Sequence, residues 1–214
     1  MTDLNIADLR KEYKLRSLSE TDVDPNPIQQ FQHWWNEAMM SNIEEPNAMA
    51  LATSTKHGKP SARIVLLKGL SNEGFLFFTN YESRKGIELK ENPFASLLFF
   101  WKELERQVRI EGTVAKCEDE KSDEYFLSRP ALSKIGAWSS PQSKVIQSRE
   151  DLEKNVIKYQ QEFTDSVIPR PPHWGGYVVK PTIIEFWQGR HSRLHDRLQY
   201  SLDKDKWLIE RLAP

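Results

Sequence analysis

The 214-residue chain has one cysteine, Cys117, and no long apolar run. A lone cysteine excludes an intramolecular disulfide and gives no support to a structural zinc site. No apolar stretch approaches the ~20 residues that a helix needs to span a bilayer. The first residues also lack the basic-then-apolar pattern of a signal peptide. We therefore expect a cytoplasmic protein with no membrane partner.

An excess of charge of one sign is also missing, since 30 basic residues stand against 31 acidic ones. Domains that bind nucleic acid are normally clearly basic, so no nucleic-acid partner is expected. The sequence contains neither of the two common glycine-rich phosphate loops, nor the Gly-x-Ser-x-Gly elbow of a hydrolase. His191 and His195 stand four apart in a predicted strand, with no third ligand nearby. We therefore expect no metal site.

Short apolar runs separated by turn residues predict a mostly antiparallel sheet. Helices interrupt the strands without strict alternation, which predicts a single α+β domain over residues 1–214, with flanking helices around a barrel-like sheet. Residues 1–20 are expected to form a mobile arm. The predicted helices cover 28–42, 84–91, 119–128 and 149–163, and the predicted strands cover 48–53, 61–67, 75–79, 94–101, 107–116, 176–179, 183–187, 194–200 and 207–211.

The stretch from Arg193 to Arg197 is the most informative part of the chain. Read as a strand, it places Arg193, His195 and Arg197 on one face, because side chains alternate along a strand. Such a face favours a bound phosphate or carboxylate, or a substrate whose protons must be managed. An exposed edge strand whose charges discourage aggregation explains the same pattern.

Two further clusters of cations stand out. Ser83 is a plausible cap for the helix 84–91, and Arg84 and Lys85 in its first turn oppose the helix dipole. A bound anion would remove this conflict, although ordinary solvated basic residues remain an alternative. Arg63 and Lys68 bracket a four-residue apolar core. Strict alternation puts these two cations on opposite faces unless a bulge intervenes, and strand ends that reach solvent explain them as well.

Two polar groups give weaker signals. Gln107 lies on the polar face of its predicted strand, and a solvent-exposed face explains this position without a ligand. Gln142 and Ser143 follow Trp138 in a polar loop, where a turn accounts for both residues without a ligand.

Taken in order, the motifs resemble the family of pyridoxine/pyridoxamine 5′-phosphate oxidases, FMN-dependent enzymes of vitamin B6 metabolism. Each motif is weak alone, but their common order from about residue 9 to the end is specific. The least family-like parts are residues 1–8 and 145–168. The matching stretches are 9–13, 63–68, 79–80 with 83–85, 104–108, 125–130, 136–138 with 142–143, 185–189, 193–197 and 211–214.

The resemblance implies a split β-barrel that binds FMN at a homodimer interface, with residues 169–214 supplying C-terminal strands that complete the active site. It implies hydride transfer from the C4′ carbon of pyridoxine or pyridoxamine 5′-phosphate to flavin N5, which forms pyridoxal 5′-phosphate. Molecular oxygen would then reoxidise the flavin and yield hydrogen peroxide. The amine substrate would also release ammonia.

The resemblance also assigns site residues. Those implied in substrate binding are Arg10, Tyr13, Lys68, Tyr125, Arg129, Ser133, Arg193 and His195, of which Arg193 and His195 would be catalytic. Those implied in FMN binding are Arg63, Ile64, Val65, Leu66, Lys68, Phe78, Thr79, Ser83, Arg84, Lys85, Gln107, Gln142, Ser143, Trp187 and Arg197. The last five of these, from Gln107 onward, would close over the flavin from the other subunit.

Three other functions stay open at this point. A different flavin enzyme on the same barrel, such as an FMN reductase or a haem-degrading relative, would keep the Arg84-Lys85 phosphate site. It would not need Tyr125, Arg129 and the Arg193 stretch together. A non-catalytic carrier of pyridoxal phosphate would need the phosphate clamp without flavin, and would be colourless when purified. A nucleic-acid-binding β-barrel is disfavoured by the balanced charge.

Overall fold

The structure is a computed structural model that describes residues 12–164 and 166–214. Arg10 therefore lies outside the described residues. Within them, five α-helices and nine strands follow one another along the chain. The helices are α1 (Pro27–Met39), α2 (Arg84–Glu91), α3 (Asp119–Ser128), α4 (Ala131–Ser139) and α5 (Arg149–Glu162). The strands are β1 (Ala48–Ser54), β2 (Pro60–Leu66), β3 (Gly69–Ser71), β4 (Gly74–Asn80), β5 (Phe94–Trp101), β6 (Arg106–Lys116), β7 (Trp174–Gln188), β8 (Asp196–Asp203) and β9 (Lys206–Arg211).

The strands form one hydrogen-bonded sheet in the order β2-β1-β5-β6-β7-β4-β3, with β8 paired to β7 and β9 paired to β8. The pairs β1–β2, β3–β4, β4–β7, β7–β8 and β8–β9 are all antiparallel. This pairing and the five helices confirm the predicted α+β class. The chain divides into two compact units. The first unit comprises Met1–Pro46, Leu98–Ile110 and Thr182–Pro214, and the second comprises Asn47–Leu97 and Glu111–Pro181.

The first unit is built around α1 and an aromatic core. The Asn26 side chain accepts a hydrogen bond from the Ile28 amide, which caps α1 and satisfies one of its free N–H groups. Helical spacing then puts Phe31 and Trp34 on the buried face of the helix. Phe31 packs 5.1 Å from Phe99, measured between ring centroids, and Trp34 meets the Phe186 ring edge-on.

In the second unit, alternation along β1 and β4 buries one face of each strand. The Ser83 side chain accepts from the Gly86 amide and caps α2, as the sequence predicted. Gly86 allows the helix to start close to the preceding backbone, since a Cβ atom there would lie 2.2 Å from the Tyr81 carbonyl oxygen. The start of α2 is thus fixed both by its cap and by close backbone packing.

Two strand assignments from the sequence were wrong at their ends, and both ends carry cations. β2 stops at Leu66, so the alternation that separated Arg63 from Lys68 no longer applies at Lys68. β8 begins only at Asp196, because the residues before it form a short 3-10 turn, His191–Arg193. Arg193 has a left-handed φ of 61°. Arg193 and His195 therefore do not alternate with Arg197 along a strand.

Helix α4 and the short strand β3 were not predicted, and the predicted strands 176–179 and 183–187 are one continuous strand, β7. The single-domain assignment stays a prediction. No helix in the described part of the chain is long and apolar enough to cross a membrane.

Candidate active site

A groove of about 520 Å³ opens in the second unit and gathers cationic, polar and aromatic side chains. It is formed by the end of β2 with the residues just after it, the end of β4, the start of α2, the end of α3 and the loop after α4. The lining residues are Arg63, Ile64, Val65, Leu66, Lys68, Phe78, Thr79, Asn80, Lys85, Tyr125, Arg129, Gln142 and Trp174. Eleven of these thirteen residues were predicted from the sequence, all except Asn80 and Trp174.

Lys85 is the most buried cation of the groove, at 9% exposure. Its Nζ donates to Gln142 Oε1 at 2.9 Å and to Thr79 Oγ1 at 3.1 Å. Burial, together with the nearby Arg63 guanidinium, lowers the pKa of Lys85 to about 8. These hydrogen-bond acceptors are neutral oxygens and the lysine is desolvated, so an anion beside it would be strongly favoured.

Arg63 and Arg84 instead share one buried carboxylate, that of Glu88. Arg84 Nε lies 2.8 Å from Glu88 Oε1, and Arg63 Nη2 lies 3.4 Å from Oε2. Burial acts to raise the pKa of Glu88, but hydrogen bonds from Ser61, Thr53 and Arg84 lower it to about 2. Glu88 thus remains ionised and fixes both guanidinium groups. No sequence motif marked this residue; only its position four residues after Arg84 in the helix could have suggested a partner.

Arg129 gives the clearest indication that the groove binds an anion. Its Nη1 atom is buried and has no hydrogen-bond partner among the described residues. The guanidinium lies 4.8 Å from the centroid of the Trp174 ring, and burial lowers its pKa. An unpaired buried donor of this kind costs about 1–3 kcal/mol, which an anion in the groove would recover.

Aromatic rings form one wall beside Arg129. Tyr125 stacks on Phe78 with ring centroids 4.1 Å apart, and Phe78 stacks in turn on Trp174 at 5.4 Å. Lys68 lies 5.9 Å from the centroid of the Tyr125 ring. Cations next to a flat aromatic wall suit ligands that combine a phosphate with a ring.

Four residues of the second unit that were predicted as site residues do not line the groove. Ser83 contacts the groove only through Lys85 Nζ, at 3.3 Å, and Arg84 points to Glu88. Ser133 lies half-buried in α4. Ser143 is exposed in the turn after α4, with a left-handed φ of 69°. Gln142 contacts Lys85 of its own chain, whereas the resemblance implied that it would close over the flavin from the other subunit.

The first unit holds a second cluster of predicted residues: Tyr13, Trp187 and His195. The Trp187 and His195 rings are 4.5 Å apart, and Tyr13 meets both edge-on, at 5.7 and 5.9 Å. His195 Nδ1 accepts a hydrogen bond from the Arg190 amide at 3.1 Å. Burial and the neighbouring Arg193 lower the pKa of His195 from 6.5. At neutral pH the imidazole is therefore uncharged, with its proton on Nε2.

Arg197 is held by its own chain. Its Nε and Nη2 form a bidentate pair with the buried carboxylate of Glu185, at 2.8 and 3.1 Å, and its Nη1 donates to the Ala213 carbonyl at 2.9 Å. Arg193 is exposed, and Gln107 is half-buried on β6. Glu185 is 1% exposed and was not predicted as a site residue, because an acid inside an apolar strand reads as an ordinary interruption.

Comparison with known proteins decides the family. A family model described as "Pyridoxamine 5'-phosphate oxidase" matches residues 36–162, and one described as "Pyridoxine 5'-phosphate oxidase C-terminal dimerisation region" matches residues 174–214. The chain belongs to the pyridoxine/pyridoxamine 5′-phosphate oxidase family. Two curated members are similar over nearly their whole length. The protein from a Cyanothece species is 60% identical and that from Salinibacter ruber is 58% identical, each with 98–99% of both chains covered.

Two solved structures agree with the fold. PhzG from Burkholderia lata, solved with tetrahydrophenazine-1-carboxylic acid, is 32% identical, has a TM-score of 0.88 and covers 94% of this chain and 99% of its own. An FMN-binding protein related to pyridoxamine 5′-phosphate oxidase, from Nostoc punctiforme, has a TM-score of 0.69 at 16% identity, with 93% of this chain and 100% of its own covered. The predicted split barrel is thereby confirmed.

Enzymes of this family use FMN. The residues of the groove fit such a group, because the orphaned Arg129 Nη1 and the desolvated Lys85 both favour a phosphate. The stacked rings of Phe78, Tyr125 and Trp174 suit a flat ring system beside it. Which residue touches which ligand stays a prediction.

Proposed function

We propose that the chain oxidises pyridoxine 5′-phosphate and pyridoxamine 5′-phosphate to pyridoxal 5′-phosphate, with FMN as cofactor and O₂ as electron acceptor. Hydrogen peroxide is the second product, and the amine substrate also releases ammonia. The support is the family membership and the name shared by relatives that match the chain from end to end. The observation in this chain that carries the proposal is the buried, unpartnered Arg129 Nη1 in a groove lined by four cations.

The groove offers two groups of phosphate-binding side chains. Lys85, with Thr79 and Gln142, suits the FMN phosphate, while Lys68, Tyr125 and Arg129 suit the phosphate of the substrate. Each charge-assisted hydrogen bond to a phosphate contributes about 1.5–3 kcal/mol. Holding the non-reacting end of the substrate in this way orients its ring for reaction.

Bound FMN would supply the redox chemistry, accepting a hydride from the substrate carbon and passing the electrons to O₂. The side chains of the protein contribute by orienting the substrate and by donating hydrogen bonds to it. His195 is uncharged at neutral pH and carries its proton on Nε2, so it donates a hydrogen bond to a substrate oxygen or nitrogen. It acts in this form as a donor and not as a general base. Arg193, exposed beside it, adds positive charge for the same substrate.

The proposal includes a homodimer with FMN at the subunit interface. It is supported by the match of residues 174–214 to a dimerisation region, because that stretch carries Trp187, Arg193, His195 and Arg197. Arg193 is exposed in the single chain and open to a ligand. The cytoplasmic location stays a prediction.

A comparison of phosphorylated and unphosphorylated substrate tests this proposal. Pyridoxine 5′-phosphate should be oxidised with a kcat/KM at least about a hundredfold above that of pyridoxine, since two lost charge-assisted bonds amount to about 3 kcal/mol or more. Loss of the phosphate should appear mainly as a higher KM. Equal kcat/KM values for the two alcohols would contradict the proposal.

A further inference from the structure

We propose that Glu105 is a positioning residue of the oxidase: its buried carboxylate fixes the N-terminal segment (residues 12–20) so that Tyr13 is set against His195 and Trp187. This inference rests on the proposed function for its effect on turnover. Its structural part concerns the first unit alone. Glu105 belongs to none of the groups of residues assigned above.

The carboxylate of Glu105 binds backbone amides of the N-terminal segment. Glu105 Oε2 accepts hydrogen bonds from the Lys14 amide at 2.7 Å and from the Leu15 amide at 3.1 Å. Glu105 is only 3% exposed, so its carboxylate is shielded from water, whereas Lys14 and Leu15 are exposed. A carboxylate that accepts from amides in such a place forms stronger bonds than a neutral acceptor would.

The backbone carbonyl of Glu105 binds the end of β7. Its carbonyl oxygen accepts from the Gly189 amide at 2.8 Å and from Gln188 Nε2 at 3.2 Å. Glu105 has a left-handed φ of 54°, which a residue other than glycine adopts only at a cost. This conformation lets one residue bond to the N-terminal segment through its side chain and to the end of β7 through its carbonyl.

Tyr13 is the side chain that these bonds place. It precedes Lys14 directly, so fixing the Lys14 amide fixes the position of the Tyr13 backbone as well. A Cβ atom at Gly189 would lie 2.7 Å from Tyr13 Cβ, so only glycine allows this approach. Tyr13 then meets Trp187 and His195 edge-on. Glu105 thus orders the surroundings of His195 through Tyr13.

A second anchor keeps the rest of the segment in place without reaching Tyr13. Asp196 Oδ2 accepts from the Leu18 amide at 3.1 Å, and Arg211 donates to the Leu18 carbonyl at 3.1 Å. Loss of the Glu105 bonds should therefore loosen residues 12–16, where the exposed ion pair of Arg16 with Glu37 contributes little, while residues 18–20 stay attached. The difference between the two anchors predicts which part of the segment becomes accessible to a protease.

The experiment compares Glu105→Gln with Glu103→Gln, which removes the same charge from an exposed side chain of the same turn. Holoenzyme is treated with trypsin under native conditions, and cleavage after Lys14 and Arg16 is followed by mass spectrometry. The neutral oxygen of glutamine accepts these bonds more weakly than the carboxylate, so Glu105→Gln should be cut at these sites at least about fivefold faster than wild type, a factor equal to about 1 kcal/mol. Glu103→Gln should behave like wild type. Equal cleavage of all three proteins would overturn the proposal.

Turnover of pyridoxine 5′-phosphate gives the second readout. Glu105→Gln should raise KM more than it lowers kcat, and it should add less than about a twofold loss in a Tyr13→Ala background, because the two residues act through one contact. The same loss with and without Tyr13 would mean a merely structural role and would overturn the proposal. If Glu105→Gln does not fold, Glu105→Asp, which keeps the charge on a shorter side chain, serves in its place. A wild-type protein that forms no pyridoxal phosphate would overturn the proposed function, while the cleavage assay still decides the role of Glu105.

Discussion

At the residue scale, the account depends on cations that are kept unsatisfied in the protein alone. Arg63 and Arg84 have Glu88 as a partner, but Arg129 Nη1 has no partner among the described residues. The Lys85 ammonium donates to neutral oxygens of Thr79, Ser83 and Gln142. Such groups reduce the stability of the ligand-free protein and are recovered on binding an anion.

Arg129→Met therefore should weaken substrate binding without weakening the fold. Methionine fills a similar volume and removes the unpartnered buried donor, so the free energy of unfolding of the ligand-free protein should stay within about 1 kcal/mol of wild type. The KM for pyridoxine 5′-phosphate should rise roughly tenfold or more, since 1.4 kcal/mol corresponds to a factor of ten. Thermal unfolding and steady-state kinetics measure the two effects. An unchanged KM would show that Arg129 does not hold the substrate.

His195 gives a pH dependence whose sign follows from its environment. Its pKa is lowered by burial and by Arg193, so the neutral form persists below the ordinary value of 6.5 and is lost only as the pH falls further. Protonation of Nδ1 would break the hydrogen bond from the Arg190 amide that orients the ring, so the acid limb of kcat/KM should lie below pH 6.5 in the wild type. His195→Gln keeps an amide donor near Nε2 but does not titrate, so this limb should disappear in the pH profile. A limb above pH 6.5, or one unchanged in His195→Gln, would contradict the assignment.

At the element scale, helix α2 is the most important element for the groove, because its N-cap and first turn position Lys85. Ser83 accepts from the Gly86 amide and also contacts Lys85 Nζ. Ser148 caps α5 in the same way, accepting from the Asp151 amide, but no hydrogen bond among the described residues links it to Lys85. Replacing each serine in turn therefore distinguishes the effect of a helix cap on stability from an effect on ligand binding.

Ser83→Ala and Ser148→Ala should each lower the free energy of unfolding by about 1 kcal/mol, the usual loss for an N-cap serine. Only Ser83→Ala should also raise the Kd for FMN, by a few-fold, measured by quenching of flavin fluorescence during reconstitution. If both variants bind FMN like wild type, the start of α2 is not part of the FMN site.

The element scale also shows where prediction from sequence succeeded and failed. Helix α2 and strand β5 were predicted with the bounds that the structure has, because caps, a proline and a clear apolar run define them. The turn before β8 was missed, since Ser192 and Arg193 adopt left-handed φ values that their residue types do not announce. That turn moves Arg193 and His195 off the strand on which they were placed. Its conformation is set by tertiary contacts, such as the bond from the Arg190 amide to His195.

At the scale of the whole molecule, sequence motifs scattered from residue 63 to residue 142 come together in one groove, as the family resemblance led us to expect. The sequence did not reveal the residues that support these motifs, such as Glu88, which pairs with Arg63, and Trp174, which lies beside Arg129. In the first unit it likewise did not reveal Glu105, which binds the Lys14 amide next to Tyr13. These are long-range contacts, and no local pattern specifies the partner of a buried acid. The dimer and the location of FMN within it stay proposals.

The central claim is that the intact protein turns over a phosphorylated B6 vitamer through a bound flavin. The most direct measurement is aerobic incubation of purified, FMN-loaded protein with pyridoxine 5′-phosphate, in which pyridoxal 5′-phosphate and hydrogen peroxide are quantified together. Both products should form over many turnovers and in equal amounts. A protein that holds FMN but forms neither product from the substrate would contradict it.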